Sequence, residues 1–241
     1  MYGHRARIGY CSPPVVTEVF VFEFYKMVPD GVSLLLTTLE IGLEYTSQAF
    51  DGSFDRSMEA AKYMAGAGAD VVVLGGNPVN QSRGIENLPG ICAELAAEIG
   101  TLVVASTLCQ MEAMEKLGVK KVASAHASGA GHDDRHRKQM ENMGVESVGV
   151  ASLEGYNLLG YGKIPTDAAF EIARRLKDSY PDADCIHLAS AHWPTAHAIE
   201  KIESELGVSV MNSQQAIVWK ALRTAGITEP IEGFGRLFRE F

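Results

Sequence analysis

Two hydrophobic periodicities alternate along this chain. Short runs rich in β-branched and aliphatic residues read as strands: RIGYC, VSLLLTTL, DVVVLG and TLVVAS, then KKVASA, SVGVAS, CIHLAS and VSVMNS. Between them, apolar residues recur at three- and four-residue spacing, the mark of a helix that buries one face. Such segments are FDRSMEAAKYMAGAG, GICAELAAEIG, LCQMEAMEKLG, DAAFEIARRLKDSY, AHAIEKIESELG and QAIVWKALRTAG. Several stop at a glycine (Gly118, Gly207, Gly226), which accepts the left-handed backbone that ends a helix. The alternation predicts an α/β fold with mostly parallel sheets flanked by helices.

The pattern is also said twice. Ala69-Asp70 opens ADVVVLGGNPVNQ and Ala183-Asp184 opens ADCIHLASAHWPT, and each phrase leads through a helical stretch to Gly100 or Gly207 and a further strand. Laid over one another, the halves place Gly76 opposite Ser190, six residues past each Asp. The expectation is two pseudo-symmetric lobes with the active site in the cleft between them. Crossovers near Ser106 and Ser213 give residues 1–105 with 213–241 as one lobe and 106–212 as the other. Ligands of parallel sheets bind where strands end and helix N-termini present N–H groups. Four loops qualify: Cys11-Ser12-Pro13-Pro14, Gly75-Gly76-Asn77-Pro78, His126-Ala127-Ser128 and Ser190-Ala191-His192-Trp193.

Composition narrows the function classes. With 241 residues and a formal charge of −9, the chain has the size of one large or two small domains and lacks a basic surface for nucleic acid. No apolar run reaches membrane-spanning length, and MYGHRARIGYC has no secretory pattern. Cys11, Cys92, Cys109 and Cys185 are scattered without CxxC pairing. These features lead to the expectation of a cytoplasmic protein with reduced thiols. Nucleotide-binding glycine motifs, the GxSxG elbow and HExxH are all absent from the sequence.

ADVVVLGGN, GVKKVASA, LASAHWP and the terminal GFGRLF carry a resemblance over nearly the whole length. The chain resembles the aspartate/glutamate racemase superfamily, most of all its branch of arylmalonate decarboxylases and maleate isomerases. Ser190-Ala191-His192-Trp193-Pro194 is similar to the Cys-Thr-His-Tyr-Pro loop of glutamate racemases, and Gly76-Asn77-Pro78 to their Cys-Asn-Thr loop. The resemblance implies paired cysteines, one per lobe, in racemases and isomerases, and a single cysteine opposite a glycine in the decarboxylases. Here Gly76 and Ser190 hold those positions, so both thiols are missing. The branch also carries a tyrosine where Ser128 stands.

That difference orders the chemistries. A thiol near pKa 8.5 exchanges protons at neutral pH, whereas a serine hydroxyl is a far weaker acid. Two-base racemisation and covalent isomerisation both lose their reactive group. Decarboxylation loses least, because desolvating one carboxylate and holding the developing enolate on N–H donors drives CO2 loss. The expected function is a cofactor-independent decarboxylase of a small malonate-like or dicarboxylic acid. Ser190 and His192 handle the proton, and Cys11, Ser12, Gly76, Asn77, Pro78, His126, Ser128, Asn157 and Ala191 surround the substrate. The alternatives are a maleate-type isomerase or racemase-like enzyme, with Ser190 standing for a cysteine or Cys11 recruited, and a non-catalytic carboxylate binder.

Structural roles compete with each assignment. Ser190 also suits a turn, His192 a helix start, Asn77 a helix cap and Cys11 a packed strand end. His132 and His136 have the i, i+4 spacing of a metal pair, with Asp133 or Asp134 beside them and His192 to join from the other lobe. A polar helix start explains the same residues, and no metal is expected. A small carboxylic acid is the expected partner, with homo-oligomerisation left open.

Overall fold

The computed structural model describes residues 2–41 and 46–241. The first half runs β1 (Ala6–Pro14), α1 (Glu18–Met27), β2 (Val32–Ile41), α2 (Ser47–Gly66), β3 (Val71–Leu74), α3 (Asn77–Gln81), α4 (Leu88–Ile99) and β4 (Leu102–Ala105). The second runs α5 (Ser106–Leu117), β5 (Lys121–His126), α6 (Asp133–Asn142), β6 (Glu146–Ser152), α7 (Ala168–Ser179), β7 (Cys185–Leu188), α8 (Ile199–Leu206) and β8 (Ser209–Asn212). Helices α9 (Ser213–Thr224) and α10 (Gly235–Glu240) follow. Every predicted strand forms, and the strands make two four-stranded parallel sheets ordered β2-β1-β3-β4 and β6-β5-β7-β8. The repeated phrase is therefore a repeated topology.

The Asp of each phrase does the same work in both halves. Asp70 Oδ2 accepts the Arg7 N–H at 2.7 Å, and the Asp70 N–H donates to the Arg7 carbonyl at 2.8 Å. Asp184 accepts the N–H groups of Lys120 and Lys121, and its own N–H donates to the Lys121 carbonyl at 3.0 Å. Each carboxylate thus locks the start of a central strand, β1 or β5, to the loop that enters the strand beside it. Register follows from this anchor, with Ile8 opposite Val71 and Val122 opposite Cys185.

The first sheet is buried on both faces, and its alternation decides which way each side chain points. Ile8, Tyr10, Val71 and Val73 enter a large core that also holds Phe20, Trp193, Ile217 and Trp219 from both halves of the chain. Cys11, Val72 and Leu74 face the other way, into a smaller core with Phe54, Ala61, Leu88 and Leu95. Helix α1 is not predicted by the sequence pattern, since VFVFEFY reads as a β-branched and aromatic run. Its buried residues, Val19, Phe20, Glu23, Phe24 and Met27, follow helical spacing once the inter-lobe core is present to receive them.

In both sheets the chain winds outward in opposite directions from the central pair, β1 with β3 and β5 with β7. Those two switch points bring their carboxyl-terminal loops to the middle of the molecule. Helices α5 and α9, which begin at Ser106 and Ser213, pack against each other.

Candidate active site

One cavity of about 120 Å³ is lined from both sheets. Of the expected residues it collects Gly76, Asn77, Pro78, Ser128, Ser190, Ala191 and His192. Gly76 and Ser190, the pseudo-symmetric pair, have φ of +85° and +81°. Ser190 is the one non-glycine residue at positive φ among those described. A side chain there costs about 1–3 kcal/mol unless the surroundings impose it, and such strain gathers at working sites. At Gly76 a side chain would require Pro13 to move, since an added Cβ would lie 2.4 Å from Pro13 Cγ.

The first residues of three helices also line this cavity: Asn77 of α3, Ser106 of α5 and Ser213 of α9. First-turn N–H groups have no carbonyl within their helix to accept them, and the helix dipole adds partial positive charge at that end. Two of these groups are already capped, the Thr107 N–H by Asn80 Oδ1 and the Gln215 N–H by Asn212 Oδ1. Among the described residues, Arg135 lines the cleft and no Asp or Glu does. In a chain of net charge −9 this is a local reversal of sign. A lining of this kind can receive an anion. Pro13, Pro14, Ile41, Phe50 and Val79 supply an apolar part of the wall.

A buried hydrogen-bond network holds the helix starts together. Asn77 and Gln110 exchange side-chain amide bonds (3.1 and 2.8 Å), and Thr107 Oγ1 donates to Asn77 Oδ1. Ser213 Oγ donates to Gln110 Oε1 at 3.2 Å, and His187 bridges Ser213 and Ser124 through its two ring nitrogens. Asn77 was expected beside the substrate or as a helix cap; its amide is committed to Gln110. What Asn77 brings to the cleft is its place at a helix start.

Ser190 Oγ accepts the backbone N–H of His192 at 3.2 Å. Of the two residues expected to handle the proton, the Ser190 hydroxyl therefore meets the His192 backbone and not its imidazole. That imidazole packs near Tyr10 and Phe20, with ring centroids 6.4 and 6.1 Å away, and its Nδ1 is buried without a partner. Burial pulls its pKa down to about 4, against a ring N–H bond donated to the Val16 carbonyl that raises it, so the ring is neutral at pH 7. Burial likewise pulls His187 to about 3, and the neighbouring His126 adds to the effect.

Four expected residues lie outside the cavity lining. Cys11 is fully buried on the opposite face of β1, its thiol directed at the Ser57 carbonyl and pushed up to about 12 by burial. Strand parity explains the miss: Tyr10, one position earlier, is the residue that faces the cleft. Ser12 is buried and donates to the Pro14 carbonyl. Asn157 caps the short helical turn Leu158–Lys163 by accepting the Leu159 N–H. His126 accepts the Ser128 N–H on Nδ1, which leaves the proton on Nε2 to donate to Asp133 Oδ1 at 2.9 Å. Both nitrogens are spent on structure.

Other lining residues were not among the expected substrate contacts. Tyr161 brings its hydroxyl to 2.7 Å from Ser128 Oγ, giving the cleft a coupled pair of hydroxyls. Arg135, His136 and Gln139 face it from α6, and their i, i+1, i+4 spacing was the available signal. His136 stacks on His126 with centroids 3.9 Å apart. Among the described residues, no three His, Cys, Asp or Glu side chains gather to hold a metal ion. No described helix is long and apolar enough to cross a membrane.

Comparison with known proteins gives a consistent picture. The family model described as arylmalonate decarboxylase matches residues 8–238. The arylmalonate decarboxylase of Bordetella bronchiseptica is 26% identical over 234 residues, spanning 97% of this chain and 96% of that protein. The crystal structure of a doubly substituted arylmalonate decarboxylase in its liganded form matches with a TM-score of 0.83 and 25% identity, over 98% of this chain and all (100%) of that one. A Nocardia farcinica maleate cis-trans isomerase mutant with a covalently bound succinylcysteine intermediate shares the fold, at TM-score 0.80 and 19% identity over 98% and 99% of the two chains.

Proposed function

The chain belongs to the arylmalonate decarboxylase family, and from that premise we propose that it removes CO2 from a small malonate-like acid without a cofactor. The observation that carries this reading is the cleft itself, with three helix starts, an arginine, an apolar wall and no acidic side chain among the described residues. The lobes flanking it are assigned as residues 1–105 with 213–241, and 106–212.

In the proposed reaction, N–H donors at the helix starts and the Ser128–Tyr161 hydroxyl pair hold one carboxylate. The other rests against Pro14, Ile41, Phe50 and Val79, where loss of hydration favours its departure as neutral CO2. The electron pair of the broken C–C bond passes into the retained carboxylate as an enediolate, stabilised by the same donors. Ser190 then gives its hydroxyl proton to the α-carbon. A carbanion beside a carboxylate is a stronger base than an alkoxide, so this transfer runs downhill. The His192 N–H already directed at Ser190 Oγ stabilises the resulting alkoxide, which water reprotonates.

The isomerase alternative has less support. A covalent cysteine intermediate belongs to the Nocardia enzyme, whereas all four cysteines here are buried and none lines the cleft. The test is CO2 release from phenylmalonate and small alkylmalonates, compared with Ser190→Ala. Turnover that vanishes in the variant supports the proposal. Dicarboxylate binding without any turnover leaves the protein a carboxylate binder.

A further inference from the structure

Resting on the decarboxylase reading of this cleft, we infer that the substrate's third substituent is not a plain aryl group but an arm ending in a carboxylate, received by His136 and Gln139 on α6. His136 is 9% exposed, lines the cleft, and has no protein partner for Nε2. A buried polar atom without a partner is destabilising, and its presence in a cavity wall points to a ligand that completes it.

The imidazole is not loosely placed. It stacks on His126 with an interplanar angle of 12°, and His126 is itself fixed by Asp133 and the Ser128 N–H. Gln139 lies three residues on, on the same helical face, with a buried side chain that also lines the cleft. Arg135 lines the same side and brings a positive charge to it. Ring nitrogen, amide and cation together suit carboxylate oxygens and suit a hydrocarbon ring poorly.

The geometry leaves this wall free for an arm. The reaction at the α-carbon uses two carboxylates, one at the helix starts and hydroxyl pair, the other at the apolar wall. His136 and Gln139 are assigned to neither, and therefore meet whatever else the α-carbon carries.

The test compares butylmalonate, of matching length and carbanion stability but without the terminal charge, with (2-carboxyethyl)malonate. The wild type is expected to favour the latter in kcat/KM by on the order of tenfold or more, chiefly through KM. His136→Phe and Gln139→Leu should each reduce that ratio about tenfold, while His136→Gln, which keeps a hydrogen-bonding group, retains most of it. Two separate positions guard against one variant failing to fold. A wild-type ratio of one or less, or a ratio unmoved by both variants, overturns the inference. If neither malonate reacts, the decarboxylase reading fails, and calorimetry with propane-1,2,3-tricarboxylate and succinate still examines the subsite. Tighter binding of the tricarboxylate, lost in His136→Phe, supports it; equal binding, or none, overturns it.

Discussion

Ser190 holds a φ of +81° that glycine would adopt without cost, and its hydroxyl is tied to the His192 N–H. Two substitutions separate these facts. Ser190→Ala keeps the strain and loses the hydrogen bond, so it should destabilise the protein by about 1 kcal/mol. Ser190→Gly loses the same bond but relieves the backbone, and should be more stable than Ser190→Ala by about 1 kcal/mol. Urea denaturation measures both, and neither variant should turn over substrate. Equal stability of the two would mean that the backbone is not strained. Ser190→Cys puts a stronger acid in the same place, and decarboxylation should rise about tenfold or more. Appearance of maleate isomerisation without decarboxylation would favour the other branch. That position 190 matters was legible from the repeat. That its hydroxyl meets a backbone N–H and not an imidazole was not, because the path of Ser190-Ala191-His192 is set by Trp193 seating in the inter-lobe core.

At the scale of elements, the doubled Ala-Asp phrase is a device for registering parallel strands. Asp184 takes two successive N–H groups ahead of and at the start of β5, as Asp70 takes one at β1. Both carboxylates are exposed, so each is worth little more than about 1 kcal/mol. Asp184→Ala is expected to lose about that much in chemical denaturation, and Asp184→Asn, which keeps one acceptor oxygen, less. No change in Asp184→Ala would remove the anchor from the account. Strands were legible because parallel strands buried on both faces are nearly continuous runs of Val, Ile and Leu. Helix α1 was not, because its aromatic run has the composition of a strand and only the opposing lobe selects the helix. Cys11 was misplaced for a simpler reason: one residue along a strand reverses the face.

Across the whole molecule, burial of neutral imidazoles makes stability depend on pH. His187 and His192 are held down to about 3 and about 4, and His136 well below its ordinary range, all chiefly by burial. The unfolded chain takes up protons on these rings below about pH 6.5, while the folded chain does not until far lower. Their contribution is therefore full above pH 6.5 and falls away as pH drops toward 4. By pH 5 the loss should reach about 2 kcal/mol for each of His187 and His192. His197, raised by the Glu23 carboxylate 3.9 Å from its ring, works in the opposite sense and is partly exposed, so it offsets only a little. Denaturation midpoints at pH 7 and pH 5 check this, and a higher midpoint at pH 5 would contradict it. The same burial raises the thiols of all four cysteines, which keeps them from acting as nucleophiles.

The sequence by itself determined the strands, their parallel order in two like halves, and the pairing of Gly76 with Ser190. All of these follow from local periodicity and from one repeated phrase. It also showed that no thiol stands at either position. Only the tertiary structure decided which side chains face the cleft: Tyr10 and not Cys11, Tyr161 beside Ser128, His136 inward, and the amide of Asn77 turned to Gln110. Such outcomes depend on strand parity at a bend, on helices meeting across two lobes, and on buried polar atoms finding partners far away in the chain. No local pattern encodes a contact between residues a hundred positions apart, such as Gln110 with Ser213.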